Sequence, residues 1–386
     1  MAPSQTRVLL FGATGYTGRL TALALAREGL RPVLVGRSRE KLEGVVGEVL
    51  GQKSVAGGVE IADVSDPSSL AAVVRPGDVL VSTVGPFVSL GAAAVEAAIG
   101  AGARAYIDST GEPPFIRRIF EEWGPRAAEA GVPLITAFGY DYVPGNLAAA
   151  MATADAVSAG TPPSRIDVGY FIKGTMAMSG GTAASAAGAL TAPHFEYAGG
   201  HLVTVRGGHA WRGFTIDGTQ WDGLSVGATE HFAVPRLSHS ITDVNAYLGW
   251  AGKSTRIVSR MSAATSLLSR IRGADRAIGA VSARTAPAPG EGPTAEVRAT
   301  SRTLAVAEAF DGIGRRVASA VVEGPSPYEL TAELLAWAAA QAVAGNLTGS
   351  GALGPADAFG LGDDPIATRA QHLIDGCAGL GLLRVG

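Results

Sequence analysis

The sequence predicts a doubly wound α/β domain built on a parallel sheet, followed by a second domain of mixed α+β structure. From Arg7 to about Ile135, short Val/Leu/Ile-rich runs alternate with alanine-rich stretches of helical length, which is the pattern of βαβ units around a parallel sheet. The first run ends in a glycine-rich turn, and the alternation stops beyond Pro144. Because 386 residues also exceed the usual size of one hydrophobic core, two domains are expected.

The apolar runs of the first half mostly lack polar alternation, as expected for strands covered by helices on both faces. Asp66 before Pro67 supports a helix start, because aspartate caps a helix and proline suits its first turn. Helices are expected to begin near Gly15, Arg39, Pro67, Gly91 and Pro114. The predicted strands are Arg7–Phe11, Pro32–Gly36, Val59–Ala62, Asp78–Thr83, Arg104–Ile107 and Pro133–Thr136.

The second half mixes helices with antiparallel strands, because its glycine-rich and aromatic stretches suit twisted antiparallel sheet. Its first predicted elements are a helix near Gly145–Ala154, a strand at Arg165–Lys173, a helix after Ser179 and strands over Pro193–Pro235. They are followed by helical spacing over Asn245–Arg272, a turn-rich connection at Pro287–Gly292, a β-hairpin of Ala295–Ala309 and Arg315–Val322 around Asp311, and a helix from Ser326 and Pro327 to about Val343.

These elements predict three parts of the chain. Residues 1–144 form a dinucleotide-binding domain, residues 145–325 a second α+β domain, and residues 326–386 a C-terminal helical segment that packs back on the first domain. Since parallel α/β sheets bind ligands at the carboxyl ends of their strands, the loops at that edge are the first place to look for a site.

The composition indicates a compact globular protein. Hydrophobic residues make up 47% of the chain and charged residues 17%, with a net charge of −3 and no basic tail, which disfavours nucleic acid as a partner. No apolar run reaches the roughly 20 residues of a membrane span. The N-terminus lacks the apolar core of a signal peptide, and Cys377 is the one cysteine, so a cytoplasmic protein without an internal disulfide is expected.

The turn after the first predicted strand carries Gly12, Gly15 and Gly18, the spacing of a Rossmann dinucleotide-binding loop. Glycine permits the sharp turn at the first position, close approach of a pyrophosphate at the second and tight helix–strand packing at the third. The helix that follows offers free N–H groups and a positive dipole end to the phosphates. The other predicted cofactor contacts of this loop are Thr14, Tyr16 and Thr17.

The end of the second predicted strand indicates NADP(H). NAD enzymes usually present a carboxylate there, whereas this chain presents Arg37 and Ser38, and a guanidinium is a fitting partner for a 2′-phosphate. Asp63, after the third strand, is predicted to contact the adenine or to cap the next turn. Val84, Gly85 and Pro86, after the fourth strand, are predicted to lie along the nicotinamide half, with Phe87 in the substrate pocket.

The sequence lacks the residue patterns of several other enzyme classes and of metal sites. No tyrosine is followed four positions later by lysine, which excludes the usual catalytic pair of short-chain dehydrogenases. No metal is expected, because the histidines lack partner cysteines and ligand spacing and are interpreted as structural or surface residues. They are His194, His201, His209, His231 and His239.

Several stretches, in the same order along nearly the whole chain, resemble the saccharopine dehydrogenase-like oxidoreductases and, within them, the branch of trans-acting enoyl reductases. The resemblance implies a Rossmann domain, a mixed second domain and NADP(H)-linked reduction. Tyr142 and Asn146 depart from it, because the family usually has serine and aspartate at these positions. The matching stretches are Gly12–Gly18, Val84–Phe87, Tyr106–Glu112, Phe138–Pro144, Ser179–Ser185 and Pro355–Gly360.

Candidates for proton transfer follow the fifth and sixth predicted strands, at the ligand-binding edge of the sheet. A reductase needs an acid to protonate the atom that becomes anionic after hydride arrives. The catalytic candidates are Asp108, Tyr140, Asp141 and Tyr142, although loop capping explains Asp108 and Glu112 as well. Glu112, Ser179 and Thr182 are predicted to line the substrate pocket, with N-capping as the alternative for the last two.

The leading hypothesis is hydride transfer from NADPH to an activated C=C, C=O or C=N bond of a small, largely apolar metabolite, such as a polyketide or lipid-like intermediate. Few charges lie in the second domain, which disfavours a doubly carboxylated amino acid. The alternatives are an NADP-binding sensor without turnover and a saccharopine-type amino-acid dehydrogenase. A homodimer through the second domain is a further expectation.

Overall fold

The computed structural model describes residues 6–48, 57–189, 192–250, 288, 290–359 and 366–385, without the side chains of 186–189 and 366–370. The first domain contains a seven-stranded parallel sheet with the strand order β15-β6-β5-β4-β1-β2-β3. Its strands are β1 Val8–Phe11, β2 Pro32–Gly36, β3 Gly58–Ile61, β4 Val79–Ser82, β5 Ala105–Asp108, β6 Pro133–Ile135 and β15 Gly351–Ala352. All strands predicted in this half are present, with ends shifted by about one residue.

Helices cover both faces of this sheet, and its central strands β1 and β4 are buried along their whole length. Asp66 caps the third helix, as expected, by accepting a hydrogen bond from the backbone N–H of Ser68. The helix expected at Gly91 is preceded by one extra helical turn. The helices are α1 Tyr16–Arg27, α2 Arg39–Glu48, α3 Pro67–Val73, α4 Phe87–Leu90, α5 Ala92–Ala101, α6 Pro113–Arg118 and α7 Gly124–Glu129, with a π-helical turn at Ile119–Trp123.

The second domain is built on a nine-stranded mixed sheet with the order β10-β11-β12-β7-β13-β14-β16 and with β8 and β9 attached at β12. Its strands are β7 Arg165–Lys173, β8 Pro193–Ala198, β9 His201–Arg206, β10 Trp211–Ile216, β11 Thr219–Ser225, β12 Asp243–Leu248, β13 Arg302–Phe310, β14 Arg316–Gly324 and β16 Leu383–Arg384. The predicted fold class is confirmed: a parallel doubly wound sheet and a second mixed domain.

The remaining helices are α8 Val143–Ser158, α9 Gly180–Ala189, α10 Glu230–Ala233, α11 Ala295–Thr300, α12 Pro327–Ala344, α13 Pro355–Phe359 and α14 Ile366–Gly379, with a 3-10 turn at Val234–Arg236. The alanine-rich helix α8 packs on β13 and β14, and α12 packs on α1. Because α8 begins at Val143, the proposed domain division at 144/145 falls in its first turn. No helix among the described residues has both the length and the apolar character needed to cross a membrane.

Three predictions in the second half are wrong in part. The strands expected over Pro193–Pro235 end with β11 at Ser225, and α10 and the 3-10 turn occupy Glu230–Arg236. The helical spacing assigned to Asn245–Arg272 begins inside β12, which pairs in parallel with β7; residues 251–272 lie outside the described residues. The four residues of this run that belong to β12 are too few to distinguish a strand from a helix. The run from Ala295 also starts as helix α11, because Thr294 caps it by accepting from the N–H of Val297. The hairpin itself, β13 and β14, is confirmed.

Candidate cofactor and substrate site

A cleft of about 860 Å³ lies at the carboxyl edge of the parallel sheet, between the two domains. The loops after β1 to β5 form one wall. Helix α9 and the ends of β11 and β12 form the other. The edge that the sequence predicts for ligand binding therefore opens into a large cavity.

The glycine loop fits a dinucleotide. Gly12 has φ +82°, and a Cβ there would lie 2.8 Å from Thr83 Oγ1. A Cβ on Gly18 would lie 2.1 Å from the Gly12 carbonyl oxygen, so the helix could not pack this closely on the loop. At Gly15, the N-cap of α1, the corresponding distance is 3.2 Å. Gly12, Thr14, Gly15, Tyr16 and Thr17 line the cleft.

The N-terminus of α1 is open to an anion. No side chain caps it, and no acidic residue lies in its first turn, so its free N–H groups and dipole suit a pyrophosphate. The Tyr16 hydroxyl has partners in the second half of the chain: it donates to the carbonyl of Pro293 and accepts a 2.8 Å hydrogen bond from Arg298. Its ring packs edge-on against Tyr328 at 5.1 Å between centroids.

Arg37 stands at the end of the cleft expected to hold the adenosine. Its side chain is 77% exposed, and its only ion pair among the described residues is a 4.0 Å contact with Asp63, which leaves the guanidinium able to bind a phosphate. Asp63 also lines the cleft, but its carboxylate accepts from the N–H and hydroxyl of Ser65, which lowers its pKa. Ser38 caps α2 instead, by accepting from the Lys41 N–H at 3.4 Å.

The loop after β4 continues along the cleft with Val84, Gly85, Pro86 and Phe87. The buried carboxylate of Glu112 accepts hydrogen bonds from the N–H groups of Phe87 at 2.8 Å and Val88 at 2.9 Å. It also accepts from the Ser185 hydroxyl of α9 at 2.7 Å. Glu112 therefore holds the loop after β4 in place and joins it to the second domain.

Asp141 is the predicted acid that reaches the cleft. Its Oδ1 is buried without a hydrogen-bond partner among the described residues, and its carboxylate lies against Gly111, where a Cβ would be 2.9 Å from Oδ2. Burial raises the pKa of Asp141 to about 7. A carboxyl group in this state can hold a proton near neutral pH and give it up.

The two flanking tyrosines face inward. The Tyr140 hydroxyl is buried beside the indole of Trp250, and burial together with Asp141 raises its pKa. Tyr142 is fully buried, and its carbonyl accepts from the Tyr170 hydroxyl at 2.9 Å and from the Asn146 amide at 2.8 Å. These contacts anchor the loop that carries Asp141.

Asp108 lies apart from the cleft wall. It is fully buried and accepts hydrogen bonds from Thr136 Oγ1 and from the N–H groups of Thr110 and Ala137, all within 3.0 Å. Burial raises its pKa to about 6 despite these donors. The carboxylate joins the loop after β5 to the loop after β6. This structural role explains why an aspartate occupies position 108, and it does not require a step in proton transfer.

Ser179 and Thr182 open α9 on the cleft. The Ser179 hydroxyl accepts from the N–H of Thr182 at 3.3 Å and lies 3.0 Å from its hydroxyl, so the predicted N-cap is present. Tyr328 of α12 joins them: its hydroxyl accepts from the Ser179 N–H at 2.7 Å and donates to Thr182 Oγ1 at 3.0 Å.

A smaller chamber of about 100 Å³ adjoins the cleft and shares the walls formed by Thr17, Ser109, Asp141, Thr182, Met178 and Trp250. Arg298 and Tyr328 line its far side. Sequence reasoning missed Trp250, Tyr328 and Arg298, because no motif contains them and only the fold brings them to the glycine loop. His194, predicted to be structural, is buried in the cleft wall and accepts from the Gly227 N–H through Nδ1. The described residues contain no group of three or more His, Cys, Asp or Glu side chains that could hold a metal ion.

Residues 8–135 match the family model of the saccharopine dehydrogenase NADP binding domain. The first domain is therefore similar to the NADP binding domain of this family. The match confirms the expected resemblance, and it confirms NADP(H) as the cofactor for which the glycine loop and Arg37 are suited.

The chain is also similar to proteins named trans-acting enoyl reductase. It is 38% identical over 151 residues to one from Mycobacterium tuberculosis, covering 38% of this chain and 36% of the relative. It is 39% identical over 142 residues to one from Mycobacterium leprae, covering 36% of this chain and 34% of the relative. The matched region thus spans about a third of these relatives.

Over its full length the chain has the fold of a solved saccharopine dehydrogenase. The apo form of the L-Glu-forming enzyme from Saccharomyces cerevisiae aligns with a TM-score of 0.60 and 14% identity, covering 98% of this chain and 99% of the other. This likeness shows that the two proteins share a fold.

Proposed function

We propose that the protein is an NADPH-dependent reductase acting on the conjugated C=C bond of a largely apolar carbonyl compound. The observation that carries this proposal is the position of Asp141 in the wall between the cofactor cleft and the smaller chamber. An acid there adjoins the path of the dinucleotide and has no competing partner for Oδ1 among the described residues. The names of the mycobacterial relatives support a C=C bond rather than C=O or C=N.

Bound NADPH supplies a hydride at its nicotinamide. The residues of this chain would orient both reactants and complete the proton transfer. The glycine loop and Arg37 would hold the phosphates, and the loop fixed by Glu112 would place the nicotinamide. Asp141, with its raised pKa, would hold the proton that the carbon skeleton requires.

The substrate part of the cleft favours an apolar molecule. Away from the glycine loop its wall is formed largely by apolar side chains and glycine, and acidic or basic side chains are few. A dicarboxylic amino acid would need several cations in that wall. The apolar residues are Phe87, Leu90, Met178, Leu224, Val226, Leu248 and Trp250.

The test is a substrate panel with the purified protein, followed by loss of NADPH absorbance. The panel contains 2-enoyl thioesters, the matching 3-keto thioesters and imines formed from a keto acid and an amino acid. We expect turnover of the enoyl compounds. Reduction of the imines alone would contradict the proposal in favour of an amino-acid dehydrogenase, and tight NADP(H) binding without any turnover would favour a sensor.

A further inference from the structure

We propose that Ser179, Thr182 and Tyr328 form a hydroxyl chain that binds the carbonyl oxygen of the substrate and stabilises the negative charge that develops on it. The inference rests on the proposed reduction and narrows the substrate to an α,β-unsaturated carbonyl compound. It gives a chemical role to Tyr328, which lies on α12, far from the sequence motifs of the site.

The three hydroxyl groups of the hydroxyl chain are connected by hydrogen bonds. Tyr328 Oη lies 3.0 Å from Thr182 Oγ1, which lies 3.0 Å from Ser179 Oγ. Backbone N–H groups fix both ends, because the Ser179 N–H donates to Tyr328 Oη and the Thr182 N–H donates to Ser179 Oγ. Ser179 is only 3% exposed, yet it lines the cleft together with Thr182.

The hydroxyl chain has one O–H group that its internal hydrogen bonds do not use. Three hydroxyl groups carry three hydrogens, but the two contacts between them use only two. Since Tyr328 donates to Thr182, the remaining hydrogen lies on Ser179 or on Thr182, whichever way their shared contact is oriented. Both residues line the cleft, so in either arrangement one O–H group is left for an acceptor there.

The location matches the reacting end of the cofactor path. A Cβ on Gly85, in the loop after β4, would lie 3.5 Å from Ser185 Oγ of α9, and Ser185 bonds Glu112 of the opposite wall. Helix α9 therefore packs directly on the loop predicted to carry the nicotinamide. Thr182 and Asp141 also share the wall between the cleft and the chamber, which places the hydroxyl donor and the acid on the same reactant.

The proposed reduction adds one hydride and one proton to the C=C bond. Two electrons enter the β-carbon as hydride and displace the C=C pair, which moves negative charge onto the carbonyl oxygen. The free O–H of the chain donates to that oxygen, and each hydrogen bond behind it polarises the next. Asp141 gives its proton to the α-carbon, the C=O bond re-forms, and the carboxylate regains a proton from water.

The test uses a 2-enoyl thioester of N-acetylcysteamine labelled with ¹³C at its carbonyl, bound to the full-length protein with NADP⁺. Infrared difference spectra report the hydrogen bond on this carbonyl without turnover. We expect the wild type to lower the C=O stretching frequency relative to the probe in an apolar solvent. Thr182→Val, which interrupts the hydroxyl chain at its middle, should reverse most of that shift. Tyr328→Phe, which leaves one O–H group free on Ser179 or Thr182, should reverse a smaller part of it, and Thr182→Ser, which keeps the hydroxyl, should retain it.

Turnover gives the second readout. Removal of an oxyanion donor costs about 100-fold in kcat, so we expect Thr182→Val to lose roughly that factor and Tyr328→Phe, at the far end of the chain, about 10-fold. The KM for NADPH should stay unchanged in both. Tyr247→Phe makes the same chemical change at a buried tyrosine that lines neither the cleft nor the chamber and serves as the control.

A carbonyl frequency that is the same in wild type, Thr182→Val and Tyr328→Phe would overturn the inference and leave the chain as a helix cap. Thermal melts of each variant separate this outcome from unfolding. If the wild type shifts the carbonyl frequency but reduces no enoyl substrate, the proposed function fails while the hydroxyl chain stands.

Discussion

At the scale of single residues, two aspartates that follow neighbouring strand ends have different surroundings. Asp108 is held by donors from Thr110, Thr136 and Ala137, whereas Asp141 has an unpaired Oδ1 and faces the cleft. The sequence supports both as acids, because each follows a strand and lies among polar loop residues. Only the packing of the loops around them distinguishes the hydrogen-bonded carboxylate of Asp108 from the proton donor proposed at Asp141.

The pKa of Asp141 leads to a prediction about pH. Because burial raises this pKa to about 7, the acid is protonated below pH 7 and ionised above it. If Asp141 is the donor, kcat should fall as the pH rises through about 7, and Asp141→Asn should lower kcat by about 100-fold or more and remove this dependence. Steady-state rates from pH 5 to about 9 check it. A wild-type profile that persists in Asp141→Asn would exclude Asp141.

Arg37 leads to a prediction about the cofactor. Replacement by aspartate removes the cation and sets a negative charge against the 2′-phosphate, so we expect Arg37→Asp to weaken NADPH binding by about 10- to 100-fold. NADH binding should hold or improve. Arg27→Asp makes the same charge change on the exposed end of α1, where Arg27 pairs with Glu333, and should affect both cofactors equally. Fluorescence titrations with each cofactor measure this, and equal losses in Arg37→Asp would contradict the assignment.

At the scale of elements, the sequence predicts the positions of strands best where an apolar run corresponds to a fully buried strand. The parallel strands are apolar throughout because helices cover both faces, so their positions follow from composition. Prediction failed at β12, where a short apolar run suits either a helix or a strand and the partner strand decides. It also failed at α11, where the cap supplied by Thr294 starts a helix. The far wall of the site was missed for a related reason: Tyr328 lies 149 residues from Ser179, and only their contact reveals the pair.

The turn between β1 and α1 makes a prediction at this scale. A Cβ on Gly18 would collide with the Gly12 carbonyl, so Gly18→Ala should destabilise the protein by about 1–3 kcal/mol and weaken NADPH binding. Gly44, inside α2, meets no atom within 4 Å, and Gly44→Ala should stabilise by about 0.5–1 kcal/mol. Urea unfolding and cofactor titration test the pair. Equal stabilities for the two variants would refute the packing argument.

At the scale of the whole molecule, three buried carboxyl groups make stability depend on pH. Burial raises the pKa values of Asp108, Asp141 and Glu230 to about 6, 7 and 8. Each group stays neutral up to a higher pH in the folded protein than in the unfolded chain. Their contribution is therefore complete at low pH and is lost as the pH rises through these values.

Glu230, on α10 and in contact with the Tyr170 hydroxyl, lies outside the cleft wall and isolates this effect. Between pH 5 and about 9, the free energy of unfolding should fall less in Glu230→Gln than in the wild type, with a difference of at least about 1 kcal/mol. Melting curves at matched pH values measure the difference, with Glu43→Gln on the exposed face of α2 as the control. Parallel curves for wild type and Glu230→Gln would refute the assignment.

The final segment of the described chain adds one strand to each sheet: β15 pairs with β6 of the parallel sheet, and β16 pairs with β14 of the mixed sheet. Fewer than forty residues thus share backbone hydrogen bonds with both halves of the molecule. Because one segment carries a strand of each sheet, we expect substrates to enter by rearrangement of side chains and loops around the cleft rather than by wide separation of the domains. The same pairing makes it difficult for either domain to unfold while the other stays intact.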